Sequence, residues 1–130
     1  MPHTADLIIE AWAPTREGCL EQAVMALVSS FVDARLAGGR VTIPFRVEAR
    51  SGEEQLVALL EEILYLLDTR GVVPVGARLR VDDEGVFGEL DVVPADVELV
   101  GAVPKGVSRH ALELRPVDGR GWCCRAVIDV

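Results

Sequence analysis

Three stretches of this chain carry residue types suited to chemistry: the cluster His3-Thr4-Ala5-Asp6, the lysine Lys105, and the histidine His110 five positions later. Imidazole and carboxylate together can do acid and base work, so His110 with Asp6 or Asp129 is one reading. Against it, the chain has no glycine-rich phosphate loop, no GxSxG elbow and no nucleophile with an evident activating neighbour. Each residue also has a plainer reading. Asp6 stands directly before the apolar run Leu7–Trp12, where a short polar side chain commonly satisfies backbone groups that no strand has yet paired. His3 and His110 read equally as hydrogen-bonded structural residues. Lys105 stands out by type, as the single lysine among 13 basic residues. A compact ammonium neutralises phosphate or holds a carboxylate in a way that a broad guanidinium does not copy, although after Pro104 it also reads as a solvated loop residue.

Charge narrows the partners. A net charge of −8 and a pI near 4.7 argue against a broad nucleic-acid footprint, which needs a basic face, and favour a protein partner or a cation. At 130 residues and 50% hydrophobic content, one domain over residues 1–130 with a single core is expected. No apolar stretch approaches a membrane span and the N-terminus lacks a signal-peptide pattern, so a cytoplasmic protein is expected. The three cysteines, Cys19, Cys123 and Cys124, are odd in number and two are adjacent, which fits reduced, packed thiols. They show no CxxC or HExxH spacing for zinc. An alternative reading gives the Cys123-Cys124 pair a redox role in a chaperone-like module.

The elements that must position these groups are legible from periodicity. Thr15 is a helix N-cap ahead of Leu20, Ala23, Val24, Leu27, Val28 and Phe31, with Gly38-Gly39 expected to end the helix. Val41, Ile43, Phe45, Val47 and Ala49 alternate with polar residues as a strand, and Pro44 marks it as an edge or a bulge. Ser51-Gly52-Glu53-Glu54 is a capping box for a second helix with Leu56, Leu59, Leu60, Ile63, Leu64 and Leu67 inward. Ala77–Val81 and Val86–Val92 flank the turn Asp82–Gly85 as a hairpin. Runs at about 106–115 and 122–130 flank a second turn. The order predicts an α+β fold in which two helices cover a mainly antiparallel sheet.

Four motifs in sequence, HTADL at the start, LLEEILYLLDTRG in the second helix, PKGVSRH, and VIDV at the C-terminal end, resemble the archease family across essentially the whole chain. The family's usual wording is HTAD plus an apolar residue, LLYLLDT-x-G, KA-V-T-Y-H and a terminal V-L-D-V. The resemblance implies an accessory protein rather than an enzyme, one that activates the manganese-dependent RNA ligase of tRNA splicing by promoting its guanylylated-histidine intermediate and multiple turnover. It implies a divalent-metal site from Asp6, Asp129 and the final residue Val130, with calcium as the cation and magnesium or manganese as alternatives. It also implies that Lys105 and His110 face the ligase. Glu62 and Asp68 match acidic helix positions of the family, and read locally as a helix-face charge and a polar helix end.

The chemistry is coherent, since a hard cation takes several oxygens and two carboxylates with a backbone or α-carboxylate oxygen and water would supply them. Carboxylates a few ångströms apart otherwise raise one another's pKa. The chain departs from the family wording in three places. Only Met1 and Pro2 precede His3, Arg109 stands where the family has Tyr, and Asp91-Val92-Val93-Pro94-Ala95-Asp96 replaces an Asp-Pro-x-x-His stretch.

Overall fold

A computed structural model of the chain describes residues 6–32, 39–95, 104–119 and 121–130. His3 and Gly38 lie outside the described residues. The elements run β1 (Asp6–Ala13), α1 (Arg16–Ser29), β2 (Val41–Glu48), α2 (Gly52–Arg70), β3 (Val72–Val81), β4 (Gly85–Pro94), β5 (Gly106–Val107), β6 (Glu113–Val117) and β7 (Gly121–Asp129). The fold is α+β, with the strands divided into two antiparallel sheets. In the first, β7 is central, flanked by β1 on one side and by β5 and β6 in succession on the other. The second has the order β2-β4-β3.

Both helices start where their caps dictate. Thr15 accepts a 3.0 Å hydrogen bond from Gly18 N, and Ser51 accepts one of 3.1 Å from Glu54 N, so each satisfies one of the orphan amides of a first turn. Gly71 closes α2 in the left-handed conformation, φ 62°, with its N–H on Leu67 O.

Helix α1 ends earlier than the glycine pair predicts. The Ser30 hydroxyl donates to Leu27 O at 2.6 Å, and the backbone tightens into a turn that still buries Phe31 and Val32. Serine competes for helix carbonyls and so favours an end to the helix.

α1 packs against β1 and β7 of the first sheet and β3 of the second, while α2 covers β2, β3, β5 and β6. The core between them is built from Leu20, Leu27, Phe31, Leu56, Leu59, Leu60, Ile63, Leu90 and Ile128. One buried polar side chain locks the layers together. Gln55, fully buried, donates to Ala49 O and Asp82 O, both at 3.0 Å, and accepts from Arg16 Nη2. Its amide thereby joins α2 to α1, to the end of β2 and to the β3–β4 turn.

The hairpin forms as its pattern predicts, Val81 opposite Val86, with the Asp82 carboxylate accepting from Glu84 N and Gly85 N. β2 is the edge strand that Pro44 calls for. The run expected at 106–115 is instead broken into β5 and β6. Between them the chain leaves β7 through a bend in which His110 N donates to Ser108 Oγ at 3.1 Å and Ala111 takes φ 61°. A non-glycine residue at that φ cannot continue a strand.

Candidate functional site

The antiparallel pairing of β1 with β7 is unbroken from Ala13 opposite Trp122 to Asp6 opposite Asp129. Cross-strand partners point to one face, and their Cβ atoms stand about 4.5–5.5 Å apart. The next pair, Leu7 and Ile128, faces the core, so the two aspartates share the outer face at the end of the sheet. Asp6 is exposed and Asp129 half-buried.

Asp129 is also held from its other side. β5 pairs Gly106 with Asp129, and Lys105 N donates to Asp129 O at 2.7 Å. The strand pairing therefore brings Asp6, Asp129, Val130 and the backbone of Lys105 to one corner of the first sheet. Val130 packs its side chain against the core, which leaves main-chain oxygen as its contribution to any ligand.

Among the described residues no three Asp, Glu, His or Cys side chains converge on a common point. The donor set at this corner is two carboxylates on neighbouring strands with main-chain oxygen beside them. That set fits a hard, oxygen-seeking cation which keeps several waters, and it does not fit zinc, which needs nitrogen or sulfur ligands in a closed tetrahedron. The same pairing gives a reason for a cation. Two like charges directly opposite one another destabilise a strand pair unless they are compensated.

Lys105 borders an adjoining groove of about 680 Å³, formed with Pro104, Gly106 and Ala95 against the last turns of α2. Helix residues Glu61, Leu64, Tyr65 and Asp68 lie along it at i, i+3, i+4 and i+7, one stripe of the helix, joined by Leu67. Leu64 and Leu67, which periodicity alone places in the core, are only partly buried because they form this wall, and Leu66 is buried instead. Tyr65 is 59% exposed. Asp68 thus shares the groove with Lys105. Glu62 lines a neighbouring depression with Arg46, Glu48 and Tyr65.

His110 lies in the exposed bend between β5 and β6, where a strand position was expected. Beside it, Arg109 approaches Glu61, a groove residue, at 3.6 Å, both side chains well exposed. Glu61 and Tyr65 of the groove, with Arg109 beside Glu61, are the site residues that reading the sequence missed. The helical spacing from Glu61 to Asp68 is the signal that could have found the first two.

The cysteines are free thiols, all buried. Cys124 and Cys19 meet in the core, Cys124 Sγ donating to Cys19 O at 3.8 Å and Cys19 Sγ to Ala11 O at 3.5 Å. Their mutual hydrogen bond and burial push the Cys124 thiol well up, and the same bond lowers Cys19. Cys123 points to the other side of β7, opposite Trp12.

Comparison with known proteins places these features in a family. The model of the Archease protein family (MTH1598/TM1083) matches residues 1–130. The chain is 50% identical over 132 residues to a probable protein archease of Mycobacterium tuberculosis, covering all of this chain and 73% of that one. It is 33% identical over 137 residues to protein archease of Pyrococcus furiosus, covering 98% and 94%. Among solved structures, an archease of Thermotoga maritima described as a possible chaperone superposes with a TM-score of 0.71 at 19% identity, covering all of this chain and 94% of that one. The solution structure of Methanobacterium thermoautotrophicum protein 1598 gives 0.70 at 21%, covering 100% and 96%. No helix of this chain is long and apolar enough to cross a membrane among the described residues. With the family model matching residues 1–130 and the same fold in two solved structures, this chain belongs to the archease family.

Proposed function

We propose that this protein is a non-catalytic activator of a manganese-dependent RNA ligase of the tRNA-splicing type. It promotes guanylylation of the ligase histidine and so permits multiple turnover. The observation that carries this reading is the corner where Asp6 faces Asp129 while Lys105 N holds Asp129 O. A divalent cation, calcium in the first instance, binds the two carboxylates with main-chain oxygen of Val130 and water. Bound there, the cation supplies positive charge that cancels the repulsion between Asp6 and Asp129.

Because Asp129 is tied to Lys105 through the backbone, ordering the aspartate pair also orders the segment that carries the ammonium. Lys105, with Tyr65, Asp68 and Glu61, then offers the ligase a wet, mixed-charge docking groove. The ammonium suits a phosphate or carboxylate of the ligase and its nucleotide. His110, exposed in the bend next to Arg109, belongs to the same contact surface. The reading keeps the protein in the cytoplasm, with RNA reached through the ligase.

The test is a guanylylation assay of the cognate ligase with radiolabelled GTP, with and without this protein and with the Asp6→Ala variant. Wild-type protein raises the rate of label incorporation and Asp6→Ala does not. Equal rates in the presence and absence of the wild-type protein would remove the reading.

A further inference from the structure

The free edge of β1 borders a second groove, far along the strand from Asp6. Among the described residues β1 pairs on one side only, with β7. On its other side, Glu10, Ala11 and Trp12 line a depression of about 410 Å³ together with Gln22, Met25, Ala26 and Ser29 of α1. Successive strand residues point to opposite faces, so three in a row border one depression only along the strand's edge. The helix residues are spaced i, i+3, i+4 and i+7, a single stripe. A strand edge facing a helix stripe is the arrangement in which an extended peptide adds a strand, its backbone bonded to the edge and its alternate side chains resting on the helix.

Among the described residues both edges of the second sheet are guarded, and the edge of β1 is not. β2 carries Pro44. β3 has Pro74, a bulge between Pro74 and Gly76, and the Glu21 carboxylate of α1 accepting from Leu79 N at 2.8 Å. Prolines, bulges and covered amides are the usual means of blocking an edge. β1 has eight residues in unbroken register with no proline, no lysine and no bulge, and it exposes Ile8 at 50% and Trp12 at 58%.

We propose that the β1–α1 groove receives an extended segment of a partner protein as an added strand, basic where it passes Asp6 and Glu10 and apolar where it passes Ile8 and Trp12. Charge selects this occupant over a second copy of the chain. β1 carries two acidic residues and no basic one, and the chain carries −8. A copy would bring acid to acid, whereas a basic segment meets opposite charge across the strands. Met25 and Ala26 ask for small apolar residues on the inward side. The proposal shares Asp6 with the cation site but does not depend on the ligase reading, and its test is run without ligase or metal.

The probe is the capped synthetic heptapeptide of sequence VAKVVAR, which sets its first valine, lysine, third valine and arginine against Trp12, Glu10, Ile8 and Asp6 in antiparallel register. Binding is followed by tryptophan fluorescence and by amide hydrogen exchange in metal-free buffer. Exchange is expected to slow at β1 amides, and glutamate in place of both basic residues weakens binding by about tenfold. Two N-methylated versions, one for each alternating set of amides, should differ, since only the set facing β1 is needed. Glu10→Lys, an exposed change that leaves Asp6 as the strand's one acid, removes most of the preference between the basic and acidic peptides, with circular dichroism checking that the fold is kept. No binding, equal binding by both N-methylated peptides, or protection away from β1 would overturn the proposal. So would sedimentation showing a dimer of the free protein with β1 amides already protected.

Discussion

Asp6 and Asp129, from the first and last strands of the described chain, stand directly opposite each other across β1 and β7, and the carbonyl of Asp129 is held at 2.7 Å by Lys105 N. Two pairings on β7 thus join the two aspartates to the backbone of the chain's single lysine.

A cation bound at this corner would stabilise the folded state by mass action. At a free concentration about 100 times its Kd the gain is about 2.7 kcal/mol, or roughly 10 °C in Tm for a domain of this size. Calcium added to chelator-treated protein should produce that upward shift, and Asp129→Asn should abolish it. The same variant should raise metal-free stability by about 0.2–1 kcal/mol, because a like-charge pair is gone. A melting temperature indifferent to calcium and chelator refutes the site.

Lys105 is exposed at the groove and contributes its backbone, not its side chain, to the sheet. Lys105→Ala should therefore leave the unfolding free energy within about 0.5 kcal/mol of wild type while lowering ligase guanylylation. Lys105→Arg should recover only part of the activation, since a planar guanidinium does not replace a compact ammonium. Full activation by Lys105→Ala would take this residue out of the contact.

Gln55 is the position most sensitive to a loss of polarity. Gln55→Leu removes the partner of Arg16 Nη2 and the donor to Ala49 O and Asp82 O, all in part-buried surroundings. Leaving these groups unpaired costs about 2–4 kcal/mol. Urea denaturation should show a lower midpoint with an unchanged slope.

On the outer face of the second sheet, Asp91 takes hydrogen bonds from Arg78 at 2.8 and 3.0 Å and from Thr42 at 2.6 Å. Arg78 first and Thr42 second hold its carboxyl well below the usual carboxylate range, and Asp91 holds Arg78 well up in return. With a folded pKa below the unfolded value, the unfolded chain takes up a proton first as pH falls. The stabilisation is thus complete above about pH 4 and is lost progressively below it. Asp91→Asn should flatten the acid limb of a stability-against-pH curve, and an unchanged acid limb would dismiss the pair as a contributor.

Much of this protein is written locally in its sequence. Thr15 and Ser51 begin the helices, Gly71 ends α2, Asp82–Gly85 makes the hairpin turn and Pro44 marks an edge, because capping, turn and ladder chemistry depend on a few neighbouring residues. Local rules were weaker where two signals compete. Ser30 overrides the glycine pair at the end of α1, and the bend at Ser108–Ala111 divides a run whose composition suits one strand.

Residue types alone mark Lys105 as unusual, and the family wording marks Asp6, Asp129 and Val130, yet neither fixes where the side chains stand. Only tertiary packing decided that β1 lies against β7 in the register that opposes the two aspartates, and that Glu61 and Tyr65 flank Lys105. The physical reason is that pairing between distant strands is selected by burying Leu7, Ile9 and Ala11 against the core opposite Ile128, Ala126 and Cys124. A shift of one residue would turn that whole face to water, so the core, assembled from both ends of the chain, sets the geometry of the site.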